Sequence, residues 1–176
     1  MGVRINVIGT AGSGKSTFSK RIAEKLNLPY VELEALGWKS NWTESTDEEL
    51  FSKLQGHLSS DNWVLDGNYS RTRHIKWKRC KMVVYLDLPF HMVFYRLLSR
   101  TLFRIFKGEK LWAGNQETFW RQFFTRDSVI WWGLSNFFPK RKYFSLDSKN
   151  SKYSHIKFVR LRSKKEVEEF FTQLPC

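Results

Sequence analysis

Cysteine is scarce in this 176-residue chain: there are two, Cys80 and Cys176. Such a pair offers neither the ligand spacing of a zinc site nor a disulfide framework, which excludes a small cross-linked secreted scaffold and fits a cytosolic protein. Long hydrophobic runs are also lacking. The most apolar stretch, near residues 119 to 138, is interrupted by Arg121, Arg126 and Asp127, and Gly2 is followed by Asn6 where a myristoylation signal needs serine or threonine. No membrane anchor is expected. Acidic residues are few, 17 against 30 Lys and Arg, for a net charge of +13. That excess favours anionic partners in general (nucleotides, phosphorylated metabolites, nucleic acid) without choosing among them. The basic residues are dispersed, with a loose cluster from Lys140 to Lys165 rather than the stripe of a nucleic-acid module, and a solvated basic surface is the alternative. No internal repeat or low-complexity segment is visible, and the length suits one domain over 1–176.

What is present is a phosphate-binding loop. Gly9-Thr10-Ala11-Gly12-Ser13-Gly14-Lys15-Ser16-Thr17 fits G-x-x-x-x-G-K-[ST] at every fixed position. Its glycines let backbone N–H groups turn inward around a polyphosphate, Lys15 supplies charge to the β- and γ-phosphates of ATP, and the Ser16 hydroxyl is a ligand for Mg²⁺. The flanks agree. Val3, Ile5 and Val7 alternate as a strand, and Phe18, Ile22 and Leu26 recur on one helical stripe, so a helix N-terminus points at the phosphates.

Further along, Pro29 to Leu36 reads as a second strand running into a loop over Gly37 to Ser45. Thr46-x-x-Glu49 is a capping box, so a helix should begin at Asp47 and bury Leu50, Leu54 and Leu58. Trp63-Val64-Leu65-Asp66-Gly67 reads as a buried strand with Asp66 at its C-terminal tip, and Lys81 to Leu88 as another, stopped by Pro89. A helix from Phe90 to Lys107 carries Arg96, Arg100, Arg104 and Lys107 on one stripe, with Phe94, Leu97, Leu98, Leu102 and Ile105 facing away. An aromatic helix is expected from Asn115 to Phe138, rich in residues such as Phe123, Phe124 and Trp132, then a stop at Pro139 and a polar connector from Lys140 to Ser154. His155 to Leu161 reads as the last strand, and Ser163-x-x-Glu166 opens a terminal helix. Alternating strands and helices imply a parallel sheet covered on both faces, with ligands at its C-terminal edge. Asn6 conflicts with a buried central strand unless it is hydrogen-bonded.

These residues together resemble a family. The phosphate loop, Leu65-Asp66-Gly67 followed by Arg71, and Leu86-Asp87-Leu88-Pro89 with Arg96 and Arg100 beyond are similar to the adenylate kinase branch of nucleoside and small-molecule kinases. The stretches Leu33 to Trp42, Trp63 to Tyr69 and Val159 to Ser163 resemble more closely adenylate kinase-like proteins labelled DNA topology modulation proteins, a label that names a phenotype and no chemistry. The resemblance implies a five-stranded parallel sheet in the order 2-3-1-4-5, helices on both faces and a helical lid within about 96–138. It also implies ATP with Mg²⁺, and an acceptor between the 34–42 loop and Asp66 to Arg71, which includes Asn68. Arg160 to Ser163, with Arg162, resembles the loop that holds the adenine ring. Here arginine stands four residues after the glycine, in Asp66-Gly67-Asn68-Tyr69-Ser70-Arg71, where adenylate kinases have it three after.

Phosphoryl transfer requires alignment of two oxygens and neutralisation of spread charge. On that basis Lys15 and the loop amides hold phosphate, Ser16 and Asp66 serve Mg²⁺ with Asp87 as the alternative, and Asp66 or Glu34 orients the acceptor hydroxyl. Trp38 and Trp42 either stack on a planar substrate or pack against the sheet. Arg96 and Arg100 are candidates for the transferring group, against the alternative of a solvated helix face. The functional classes are a kinase with a small anionic or hydroxylated acceptor, a nucleic-acid-associated NTPase, and a nucleotide-binding regulator.

Overall fold

In the computed structural model, residues 2–125 and 128–175 are described, and the strand leading into the phosphate loop, β1 (Arg4–Gly9), is central. With β2 (Tyr30–Glu32), β3 (Trp63–Asp66), β4 (Met82–Leu86) and β5 (Lys157–Leu161) it forms a five-stranded parallel sheet in the expected order β2-β3-β1-β4-β5. Around it, in chain order, stand α1 (Lys15–Lys25), α2 (Leu33–Gly37), α3 (Asp47–His57), α4 (Arg73–Arg79), α5 (Phe90–Lys107), α6 (Phe119–Phe124), α7 (Val129–Ser148) and α8 (Lys164–Gln173). One face of the sheet packs Ile5, Val7 and Val84 on Phe18 and Ile22 of α1 and on Phe170 and Phe171 of α8. The other packs Leu65, Val83 and Tyr85 on Leu50 and Leu54 of α3, Trp77 of α4 and Phe144 of α7. The layers are therefore helix, sheet, helix, and β1 is covered on both sides.

Asn6 is fully buried and fully bonded. Its Nδ2 donates to the carbonyls of Leu65 (3.1 Å) and Gly67 (3.2 Å), and its Oδ1 accepts from the Trp77 indole N–H at 3.0 Å. One amide thus joins the central strand to the end of β3 and to α4, which resolves the conflict in favour of a buried strand.

Several boundaries differ from the sequence reading. The second strand stops at Glu32 and the chain turns into α2, because Leu33 is fully buried against the end of β3. The helix α4 was not anticipated: its basic run has no clear apolar period, and only Thr72, Lys76 and Trp77 mark its inner side. The aromatic helix is two helices, and α7 continues through Pro139 to Ser148, so most of the expected connector is helical. Proline in a helix interior costs about 3 kcal/mol. Burial of Phe137 and Phe144 on either side of it, and ion pairs from Arg141 to Asp87 and from Asp147 to Arg73, hold the helix together regardless. Ser128 caps α7 by accepting from the N–H groups of Ile130 and Trp131. Phe119, Trp120, Trp131 and Phe138 are exposed, whereas Phe137 is buried. Residues Arg126 and Asp127, and the side chains of Arg121, Phe123, Phe124 and Trp132, lie outside the described residues. On α5 the outward face carries Tyr95, Phe103 and Phe106, and Arg96, Arg100 and Arg104 are partly buried, the reverse of a solvated arginine face. Both capping boxes cap their helices at the serine or threonine, although Glu166 takes the Arg162 N–H rather than that of Ser163. No described helix is long and apolar enough to cross a membrane.

Asn6→Leu keeps the volume but orphans the Trp77 indole N–H and takes a donor from the Leu65 and Gly67 carbonyls, at a cost of about 1–3 kcal/mol or more. Urea denaturation should show that loss, and adding Trp77→Phe, which removes the orphaned donor, should return part of it.

Candidate active site

The phosphate loop has the conformation its glycines allow. Gly12 sits at φ 84°, and a Cβ there would lie 2.4 Å from the Val93 carbonyl oxygen, so α5 packs directly on the loop. Lys15 opens α1 with Ser16 and Thr17 behind it, while Thr10 and Ser13 are buried within the loop beside Ala11 and Gly14. Asn68 does not reach outward: its side-chain amide donates to the Gly9 carbonyl and accepts the Gly9 N–H at 3.0 Å, tying the strand end after β3 to the start of the loop.

Two carboxylates meet the Lys15 ammonium, Glu34 at 3.3 Å and Asp66 at 3.9 Å. Burial alone would pull the Lys15 pKa down, but Glu34 and Asp66 together leave it above its ordinary value. Asp66 is fully buried at the tip of β3; its Oδ2 accepts from the Tyr30 hydroxyl at 3.2 Å and its Oδ1 has no hydrogen-bond partner. Burial pushes its carboxyl up to about 6; Lys15 pulls it back in part, Glu34 adds to the rise, and Ser16 is near enough to favour the ionised form. Gly67, at φ 146°, lets this edge close up: a Cβ on it would meet Leu33 at 2.4 Å and the Glu34 carboxylate at 3.2 Å.

Asp87 is occupied differently. Its carboxylate accepts from Arg141 at 2.6 Å and from Arg160 at 2.6 and 2.9 Å, which fastens α7 and β5 to the end of β4. Beside this cluster a cleft of about 630 Å³ is lined by Pro89, Phe90, Phe137 and Phe138 with Arg160 and Arg162.

The arginines of α5 divide along the helix. Arg96 reaches Gly14, where a Cβ would stand 3.5 Å from its guanidinium. Arg100 is close enough for its charge to act on Lys15; burial lowers its own pKa, and its Nε has no hydrogen-bond partner. Arg104 is held by Glu109 and Glu117, each at 3.6 Å, and Lys107 lies over the Phe103 ring. Glu117 is a buried carboxylate that the sequence reading passed over, as were Tyr30, Asn115, the buried Lys76 and the partly buried Lys140.

The two tryptophan loops form an interlock. Residues 38–44 and 110–116 each close with an antiparallel bridge around a 3-10 turn, with Asn41 and Ala113 in the left-handed region. Asn115 joins them: its Oδ1 accepts from the Trp42 N–H at 2.7 Å and its Nδ2 donates to the Lys39 carbonyl at 2.8 Å. The Trp42 indole donates to the Gln116 carbonyl, and Trp38 meets Trp42 edge to face at 5.5 Å. Trp42 is thus engaged in packing one loop on the other, with Trp38 against its ring. Arg71 is engaged too, with Glu44 and Asp47, each at 3.1 Å.

The family model described as an AAA domain matches residues 5–104, more than half of the chain. A bifunctional pantoate ligase/cytidylate kinase of Prochlorococcus marinus is 35% identical over 94 residues, 46% of this chain and 18% of that protein. A cytidylate kinase of Alkaliphilus oremlandii is 37% identical over 75 residues, 37% of this chain and 35% of that protein. The matches therefore span about a third or less of these relatives' own length. The fold is also that of a gluconokinase from Sinorhizobium meliloti, at TM-score 0.54 and 18% identity, over 97% of this chain and 87% of that one.

The raised Asp66 pKa fixes a sign for stability against pH. From about pH 4 to about 6 the native state keeps a proton that the unfolded chain has released, so this group's contribution is complete below that window and lost as pH rises through it. Asp66→Asn cannot ionise. Its melting temperature in the ligand-free protein, relative to wild type, should become more favourable from pH 4 towards neutrality; a pH-independent difference would contradict the buried-carboxylate account.

Proposed function

The chain belongs to the AAA domain family, and on that premise we propose that it is an ATP-dependent phosphotransferase with a small anionic or hydroxylated acceptor. The observation that carries this reading is the convergence of Lys15, Glu34, Asp66, Arg96 and Arg100 at one mouth of the phosphate loop. The loop amides and Lys15 bind the β- and γ-phosphates, which releases Glu34 and Asp66 from the ammonium for other work. The Ser16 hydroxyl and the Oδ1 of Asp66, which accepts no hydrogen bond and is freed when Lys15 turns to phosphate, fit a magnesium ion that takes few protein ligands and completes its shell with phosphate and water. Bound there, such an ion neutralises phosphate charge. Asp87 cannot share that role while two guanidiniums hold it.

Glu34 or Asp66 orients the acceptor hydroxyl in line with the γ-phosphoryl group and takes its proton. Arg96 and Arg100 neutralise charge on the transferring group, where preformed donors in a dry site act most strongly. The segment within about 96–138 serves as the lid, and its interlock with the 38–44 loop, through Asn115, couples closure to the acceptor side. The cleft lined by Phe90, Phe138 and Arg162 receives the base of the nucleotide.

The test is ATP consumption by the purified protein against a panel of hydroxy acids, phosphorylated sugars and nucleoside monophosphates, with duplex DNA included. Acceptor-dependent ADP release is expected, and stimulation by DNA alone, with steep salt dependence, would favour the nucleic-acid class instead. Lys15→Ala should abolish turnover while a cooperative thermal transition remains, at a lower midpoint because Glu34 and Asp66 lose their counter-ion. Arg96→Ala and Arg100→Ala should each lower kcat by about a hundredfold or more, and Lys107→Ala far less. Near-normal kcat in both arginine variants would remove them from the reaction.

A further inference from the structure

The two oxygens of the Asp66 carboxylate stand in unlike places, and a residue outside the reaction steps sets them apart. Oδ1 accepts no hydrogen bond and lies on the side of Lys15, whose ammonium is 3.9 Å away. Oδ2 accepts from the Tyr30 hydroxyl at 3.2 Å. That reach follows from the sheet. Tyr30 opens β2 in register with Val64, and Asp66, two residues further along β3, is in register with Glu32. Side chains two apart on a strand share a face, so Asp66 emerges on the same face as Val64, which packs with Phe18 and Ile22 of α1. Tyr30 packs against that same cluster, and Lys20 of α1 covers its ring with the ammonium 5.5 Å from the centroid. A long aromatic side chain spans the diagonal to the residue two further along the neighbouring strand. The Tyr30 ring does so, and its hydroxyl meets the carboxylate at the C-terminal edge.

We propose that Tyr30 is a positioning residue for Asp66: by holding Oδ2, its hydroxyl aims Oδ1 at the mouth of the phosphate loop, where that oxygen serves Mg²⁺. This rests on the phosphotransferase reading of the same site. The torsion that turns an aspartate carboxyl plane is broad and two-fold, so the side chain does not fix its own oxygens. In the ligand-free protein Lys15 faces Oδ1, but that ammonium turns to phosphate when nucleotide binds. The Tyr30 hydroxyl belongs to the sheet and stays on Oδ2 throughout. Phenylalanine would fill the same partly buried place, whereas a tyrosine hydroxyl set inside a fold takes a hydrogen-bond partner, and Asp66 is the one it has.

The test is calorimetric titration of a non-hydrolysable ATP analogue into the protein, once with Mg²⁺ and once with EDTA. Wild type should gain affinity from Mg²⁺. Tyr30→Phe should lose roughly tenfold or more of that gain, on the scale of one hydrogen bond to a charged group, with its affinity in EDTA unchanged. Asp66→Asn should lose the gain as well, and adding Tyr30→Phe to it should remove nothing further, because the hydroxyl acts through that carboxylate. The exposed Lys20→Met, which removes the cation over the ring and leaves the hydroxyl, should keep the gain. Should Tyr30→Phe alone fail to fold, the double variant, which leaves no carboxylate unheld, is compared with Asp66→Asn in its place. An equal gain in wild type and Tyr30→Phe would overturn the proposal. So would an equal loss in EDTA, or a further loss in the double variant, either of which would make Tyr30 a packing residue. A full gain in Asp66→Asn would separate the metal from that carboxylate and overturn the proposal with it. Failure of the analogue to bind wild type would instead overturn the phosphotransferase reading itself.

Discussion

The close approach of chain segments at Gly67 is the constraint on which the site depends. Its N–H donates to the Val7 carbonyl at 3.2 Å, and its own carbonyl is shared by Asn6 and Lys76. A side chain there would collide with Leu33 and Glu34. Because nothing projects from this residue, α2 can turn directly off β2 and bring Glu34 to Lys15. Asn68, one residue on, holds both backbone groups of Gly9, so the end of β3 and the start of the phosphate loop move as one body. Hydrogen bonds to buried backbone groups are costly to leave unmade, which makes this junction all-or-none.

The charges follow from that geometry. Ligand-free, Lys15 is neutralised by Glu34 and Asp66, and the raised pKa of Asp66 expresses what burial costs a carboxylate even beside a cation. A polyphosphate competing for Lys15 therefore acts on both carboxylates at once. The α5 arginines stand on the opposite wall because Val93 and Leu97 pack on Gly12, placing Arg96 and Arg100 one helical turn apart over the loop. Arg104 is withdrawn from that wall by Glu109 and Glu117, so like-charge crowding along the stripe is relieved at its far end.

Much of this was legible in residues whose spacing encodes a local rule. The phosphate loop, the capping box at Thr46, the buried tip at Asp66 and the parallel sheet all rest on patterns within short windows or on the alternation of elements, whereas the strand order came only with the family resemblance. Elements without a local signature were not legible. Helix α4 has a basic run and no apolar period, and α7 passes through a proline that ends most helices. In both, contacts made far along the chain outweigh propensity: Trp77 to Asn6, Arg73 to Asp147, Arg141 to Asp87. The tryptophans of the 38–44 loop were legible as candidates for stacking on a substrate or packing against the sheet, and the contact Trp42 makes instead, with Asn115 and Gln116 of a distant loop, had no local mark.

By itself, then, the sequence determined the phosphate loop, the alternation of strands and helices, and the delivery of Asp66 to the sheet's C-terminal edge, because each is written in neighbouring residues. Tertiary structure alone decided that Glu34 would share Lys15 with Asp66, that Asp87 would be clamped by Arg141 and Arg160, and that Lys76 would be buried against Gly67. The physical reason is that a charged side chain carries no local mark of its partner. Its ionisation, burial and pairing are set by groups that only the folded chain brings within a few ångströms.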